Sequence, residues 1–147
     1  MKAIYNALIE RLKTITELRY IDMDSGQLEV GYSDTKRPPI VYPAALVTID
    51  VARQKDITEL SQLCSARITI RIADDTPMRT AAHQGGRSAS LQIYDLIDDV
   101  RRELQGYTGG EIFSPLSCQS QELERSNGGL FIYKLTFDTT FLLSSIK

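Results

Sequence analysis

The C-terminal stretch from residue 129 to residue 141 alternates between apolar and polar side chains with a period of two. Its odd positions include Phe131, Tyr133, Leu135, Phe137 and Phe141, and its even positions include Lys134, Thr136, Asp138 and Thr140. Because successive side chains of a strand point to opposite faces of a sheet, the pattern predicts one apolar and one mostly polar face. Asn127-Gly128-Gly129 supplies residues that tolerate the positive φ of a tight hairpin turn. The chain must therefore build a sheet that buries one face, with paired strands predicted over residues 116–123 and 130–142.

The length and charge of the chain restrict the class of protein. Its 147 residues suit one domain, which we expect to span residues 1–147, and its net charge is −2. That charge gives no electrostatic support for binding nucleic acid or an anionic membrane surface. No apolar run approaches the ~18 residues of a membrane-spanning helix, and Asn6, Glu10 and Arg11 interrupt any N-terminal signal sequence. We therefore expect a protein made in the cytoplasm, without nucleic-acid or membrane partners.

Two segments have the periodicity of amphipathic helices. A helix over residues 2–16 is predicted from apolar residues at helical spacing, namely Ile4, Leu8, Leu12 and Ile15. A longer helix over residues 86–104 has the apolar stripe Ile93, Leu96, Ile97, Val100 and Leu104. Gly106 follows where a glycine commonly ends a helix. We expect both helices to cover the apolar face of the sheet, and the longer one to bury Phe131, Tyr133, Leu135 and Phe137.

Three further segments have strand composition, at residues 20–23, 45–51 and 64–73. The last alternates cleanly, so Arg67 and Arg71 are predicted to mark its solvent side. Residues 53–58 are interpreted as a polar connection. Residues 33–42 are interpreted as a long exposed loop, with a short strand at residues 28–32 left open before it. The order of elements predicts an α+β fold of two layers, a mostly antiparallel β-sheet with two helices packed on one face.

The search for a catalytic, cofactor-binding or metal site begins with His83, the one histidine of the chain. A single histidine without cysteines at ligand spacing cannot supply a usual zinc site. Gly85-Gly86-Arg87 at a helix start could bind an anion, but no lysine follows the glycines as in phosphate-binding loops. We interpret this segment as a flexible hinge between a strand and a helix.

The acidic residues and the cysteines also receive structural interpretations. Asp74 and Asp75 could ligate a metal, but the following Thr-Pro favours a loop with side-chain-to-backbone bonds. Asp95, Asp98 and Asp99 share one sector of the predicted longer helix, which could suggest a carboxylate cluster. Intrahelical ion pairs of Asp98 with Arg101 and Arg102 account for the sector better. Cys64 and Cys118 are far apart in a chain without an export signal, which favours free thiols. We therefore predict no catalytic, cofactor-binding or metal-binding residues.

Taken in order, the elements resemble the tail terminator and tail-completion proteins of long-tailed bacteriophages, in particular the Mu-like group. The residues that carry the resemblance are the amphipathic start at residues 4–15, Tyr42-Pro43-Ala44-Ala45-Leu46-Val47-Thr48-Ile49, Ala66-Arg67-Ile68-Thr69-Ile70-Arg71-Ile72, the helix of residues 90–104 closing on Gly106, and Tyr133-Lys134-Leu135-Thr136-Phe137-Asp138-Thr139-Thr140-Phe141. The match covers nearly the whole chain as an ordered pattern, and it includes no catalytic motif.

The resemblance implies a structural phage or prophage tail protein and not an enzyme. It implies a ring, usually a hexamer, that terminates the tail tube and joins it to the head connector. The implied partners are further copies of the chain, the tail tube protein and the head–tail connector. The implied location is the host cytoplasm during assembly and then the virion tail. The residues alone leave one alternative open, a small non-catalytic binding or regulatory α+β domain that acts as a monomer or dimer.

Overall fold

The computed structural model describes residues 1–29, 40–75, 87–125 and 130–144. Two helices and five strands are formed by these residues, in the order α1 (Lys2–Leu12), β1 (Tyr20–Met23), β2 (Ala44–Thr58), β3 (Ser61–Asp74), α2 (Arg87–Leu104), β4 (Ser117–Arg125) and β5 (Phe131–Ser144). A short 3₁₀ helix at Gln27–Glu29 follows β1. None of the described helices is both long and apolar enough to cross a membrane.

The five strands form one sheet in the order β1-β2-β3-β5-β4. Every neighbouring pair is antiparallel except β1 with β2, which is parallel. Both helices contribute to one apolar core on the same face of the sheet, which we call the helix face. The predicted α+β fold, a mostly antiparallel sheet with two helices on one face, is therefore confirmed.

The core on the helix face forms because the apolar positions of each element have the correct period. Ile4, Leu8 and Leu12 form one stripe of α1, and the predicted stripe of α2 packs beside it. Leu135 and Phe137 of β5 are fully buried there, as predicted. Phe131 and Tyr133 are only half-buried, which corrects the prediction for these two residues. They lie at the end of the sheet under Tyr94, whose ring meets both edge-on.

The polar segment after residue 52 is a strand and not a connection, so that prediction was wrong. Strand β2 continues to Thr58 and turns directly into β3. Backbone pairs such as Arg53 with Ser65 and Lys55 with Leu63 hold the two strands together. We call residues 52–63 the arm. All of its β2 residues are exposed, so no buried face was present to produce the alternation by which strands are recognised.

The face of the sheet opposite the helices, which we call the open face, carries a second and smaller core at one end. It contains Leu28, Tyr42, Ala44, Leu46, Ala73, Leu130 and Ile132. The 3₁₀ helix at Gln27–Glu29 contributes Leu28 to this cluster. The sequence pattern of one apolar face per strand did not predict this second core.

Several predicted boundaries differ from the structure. Helix α1 ends at Leu12 and not at residue 16, because the chain turns at Thr14, whose hydroxyl donates a hydrogen bond to the carbonyl of Arg11. Ile15 is nevertheless buried. The open alternative of a strand at residues 28–32 is not supported at Leu28, which lies in the 3₁₀ helix.

Some sequence predictions concern residues outside the described ranges. They include residues 33–39 of the predicted loop, the hinge with His83 and Gly85-Gly86, Thr76-Pro77, and the Asn127-Gly128-Gly129 turn. The last residue of the predicted exposed loop, Tyr42, is described and is buried in the second core, so its predicted exposure was wrong. The antiparallel pairing of β4 with β5 that the turn was expected to connect is present.

Candidate assembly surfaces

Arg71 lies on the open face at the centre of a network of three carboxylates. Its guanidinium donates to Asp24 Oδ2 at 3.1 Å, to Glu29 Oε1 at 2.6 Å and to Glu124 Oε2 at 2.8 Å. The Arg71 side chain is only 11% exposed, and that of Asp24 is 12% exposed. Arg71 lies on the face away from the helices, as predicted, but its side chain is mostly buried and not in solvent.

Burial by itself lowers the pKa of the Arg71 guanidinium. The hydrogen bonds with Glu29, Asp24 and Glu124 raise this pKa by more than burial lowers it, so the net shift is upward. The guanidinium is therefore charged at neutral pH. Its planar fork can meet several carboxylates at once, as a lysine ammonium cannot. The network joins the central strand β3 to the edge strand β4 and to the segment after β1, so it fixes the shape of the open face.

Arg67 lies on the same face of the same strand, but it remains in solvent. Its side chain is 59% exposed, and its contact with Asp138 is long, 3.7 Å between Nε and Oδ1. The solvent position predicted for Arg67 is therefore observed. An exposed pair at this distance contributes little to stability.

The acidic residues do not form a cluster with metal-ligand geometry among the described residues. Asp74 is the last residue of β3 and is buried, and Asp75 follows it. Both line an open groove of about 600 Å³ together with Glu17, Arg19, Asp95 and Asp99. On α2, Arg102 pairs with Asp99 at 2.8 Å, three residues earlier. The intrahelical pair thus forms, with Asp99 in place of the predicted Asp98.

The two cysteines are free thiols on different strands, β3 and β4. Cys64 is fully buried on the helix face, and Cys118 is half-buried on β4. The fold therefore does not depend on a disulfide between them.

Several stretches of strand edge have no partner strand among the described residues. Strand β1 pairs with β2 only from Ala44 to Val47, so the rest of β2 up to Thr58 is open on that side. Strand β4 has β5 on one side and no described strand on the other. The end of β5 is partly covered, because Ser114 donates its N–H to the carbonyl of Thr140. Unpaired edges offer rows of N–H and C=O groups to another chain.

The tip of the arm adds apolar surface to these open edges. Four large apolar side chains are exposed by a third or more of their area, three in the arm and one beside it on β5, namely Ile57, Leu60, Leu63 and Leu142. Leu63 and Leu142 are directly opposite each other on β3 and β5. Grouped apolar side chains that remain in solvent are typical of interaction surfaces.

Sequence reasoning missed both the arm and the Arg71 network. The three carboxylates lie 42 to 53 residues from Arg71 along the chain, so no local spacing could indicate them. The neighbouring residues give no signal either, because Arg67 is flanked by apolar residues just as Arg71 is and yet remains in solvent.

Comparison with known proteins adds the identity of the family. No curated protein matches the chain significantly. The family model described as "Phage tail terminator protein" matches residues 4–147. Because this match covers nearly the whole chain, which has 147 residues, the chain belongs to the phage tail terminator family and has a structural role in a phage tail.

Proposed function

We propose that this protein forms a ring that terminates the tail tube and joins it to the head connector. The observation that carries the proposal is the match to the tail terminator family over residues 4–147. The proposed partners are further copies of the chain, with six in the ring, the tail tube protein and the head connector. The proposed location is the host cytoplasm during assembly and the virion tail afterwards. On this proposal the protein performs no catalysis.

The geometry of the sheet supports a ring. A closed ring needs a heterologous interface, in which two different surfaces of each subunit meet. The two lateral edges of the sheet provide different surfaces, the open edge of β2 along the arm and the open edge of β4. The net charge of −2 is small, so long-range repulsion opposes self-association only weakly.

Electron microscopy and light scattering test the proposal directly. Purified protein is mixed with tail tubes that lack a terminator, and tubes alone are the control. We expect closed rings at one end of each tube, and a solution mass that rises with protein concentration towards the ring. A two-fold dimer at every concentration that leaves tube ends bare would contradict the proposal and favour a small binding domain.

A further inference from the structure

We propose that neighbouring copies join their sheets edge to edge, with the arm strand of one copy paired antiparallel to β4 of the next. The surfaces are residues 52–58 of β2 on one copy and β4 (Ser117–Arg125) on the other. The inference rests on the proposed ring and specifies the contact from which that ring is built.

The direction of the strands favours this pairing. Strands β2, β3, β5 and β4 alternate in direction across the sheet. A neighbour placed beyond β2 by rotation about a ring axis presents its β4, which runs opposite to β2. The antiparallel pattern therefore continues across the junction, and the open faces of the two copies lie on the same side. Pairing of this kind satisfies backbone groups that otherwise face water.

The charges on the open face are complementary at this junction. Lys55 is opposite Leu63 in the sheet and Arg53 is opposite Ser65, which places both basic side chains on the open face. On β4 two of the open-face positions are acidic: Glu122, which pairs with Lys134 at 2.9 Å, and Glu124, which bonds Arg71 and is 36% exposed. Opposite charges on facing strands stabilise the pair.

The same charges disfavour the symmetric alternatives. A two-fold pairing of two arms centred on Gln54 would place Arg53 of one copy opposite Lys55 of the other. A two-fold pairing of two β4 strands would bring Glu122 and Glu124 close to their own copies. Like charges directly opposite each other destabilise strand pairs. The heterologous contact, which can close into a ring, is therefore favoured over two-fold dimers.

The pairing has a consequence for the shape of the ring. The arm lies at one end of the sheet, whereas β4 is paired alongside residues 131–138 of β5, towards the other end. Joining them displaces each copy along the strand direction relative to its neighbour. A sheet that closes on itself with such a displacement must have strands that are tilted relative to the ring axis. We therefore expect tilted strands in the assembled ring.

Disulfide trapping between two variants, each with one introduced cysteine, tests the contact. All variants carry Cys118→Ser, and the native Cys64 is retained because it is fully buried. Lys55→Cys is mixed with Glu122→Cys or with Ser120→Cys, both on the open face, and oxidised at high protein concentration. The matched control is Gln121→Cys, which lies between them on the helix face opposite Leu135. Light scattering and thermal melts of each variant check assembly and folding.

We expect a mixed cross-linked dimer with position 122 or 120 at about tenfold the yield of the position 121 control, because a disulfide needs Cβ atoms about 3.5–4.5 Å apart. Cross-linking of Lys55→Cys mainly to itself, or equal yields at all three positions, would overturn the inference. If rings form without any open-face cross-link, the edge pairing is overturned while the proposed ring still stands. Absence of both rings and cross-links would overturn the edge pairing as well, and bare tube ends would then count separately against the proposed function.

Discussion

Replacement of Arg71 with Met should destabilise the fold far more than its position on a polar strand face suggests. Methionine keeps much of the apolar stem of the side chain but removes the guanidinium, so the three carboxylates lose their common partner. Asp24 is the critical one, because its side chain is 12% exposed and cannot recover full hydration. Breaking a buried pair by removing one partner costs about 3–5 kcal/mol.

The environment of each carboxylate narrows this range. Asp24 retains one hydrogen bond from the backbone N–H of Gly26 at 3.1 Å, which moderates the loss. Glu29 and Glu124 are 65% and 36% exposed, so water can replace much of what Arg71 supplied. Exposed pairs contribute about 0–1 kcal/mol each. We therefore expect Arg71→Met to reduce the free energy of unfolding by about 3 kcal/mol, at the lower end of the buried-pair range.

The same reasoning orders the partner variants by their burial. Asp24→Asn should be the most harmful neutral replacement, Glu124→Gln intermediate and Glu29→Gln nearly silent. Urea unfolding measures each difference through the transition midpoint, with a constant slope as evidence that the unfolding transition is unchanged.

Arg67→Met is the matched control, since it removes the same group from the same face of the same strand. Its long and exposed contact with Asp138 predicts a loss below about 0.5 kcal/mol. If Arg71→Met and Arg67→Met unfold at the same urea concentration, the buried network does not stabilise the fold and the reasoning fails.

Three further predictions address the core, a turn and the alkaline limit of stability. Leu135→Ala removes a fully buried side chain and should cost about 2–5 kcal/mol in urea melts, whereas Leu142→Ala on the same strand, 67% exposed, should cost less than about 0.5; a Leu135→Ala loss below about 0.5 would show that the buried face is misassigned. Gly109→Ala should lower the melting temperature more than Gly106→Ala, because both have positive φ but only at Gly109 would a Cβ lie 2.8 Å from the Phe113 ring; the reverse order would contradict the close approach. The hydrogen bond that Tyr20 donates to Asp22 raises the pKa of Tyr20 above its ordinary 10.0. The stabilisation from this hydrogen bond is complete below pH 10.0 and is lost as pH rises through the raised pKa of Tyr20. Tyr20→Phe should therefore lose less stability than wild type between about pH 8 and pH 11. Equal losses would refute the role of the Tyr20–Asp22 hydrogen bond.

The sequence predicted those elements of the fold that have one face buried in the core and the other face in solvent. Strand β5 and helix α2 have clear periods because Leu135, Phe137, Ile93 and Val100 must all reach the same core. Their existence and type could therefore be read from local patterns, and their ends agree with the structure within about two residues.

The arm and the second core could not be predicted for opposite reasons. The β2 part of the arm is exposed on both faces, so its strand conformation comes from backbone pairing with β3, and no side-chain period records that pairing. The end of β3 near Ala73 is buried on both faces, which hides the period as well. The burial of Arg71 was missed because it depends on three carboxylates from two distant segments, which only the folded chain brings together.

Stability and assembly should therefore be separable in this protein. Arm residues such as Lys55 and Ile57 are exposed in the subunit, and burial of apolar area is the main source of folding free energy, so the arm contributes little to it. Exchange of Arg53 and Lys55 for Glu should leave the urea midpoint unchanged while weakening self-association by about tenfold or more, since two favourable charge pairs become repulsive. Arg71→Met should do the reverse: it should lower the urea midpoint, while the molecules that remain folded keep an intact arm and self-associate. Analytical ultracentrifugation and urea melts on the same three proteins measure both quantities. An arm variant that unfolds as easily as Arg71→Met would mean that the arm belongs to the folding core, and the edge-to-edge contact would lose its physical basis.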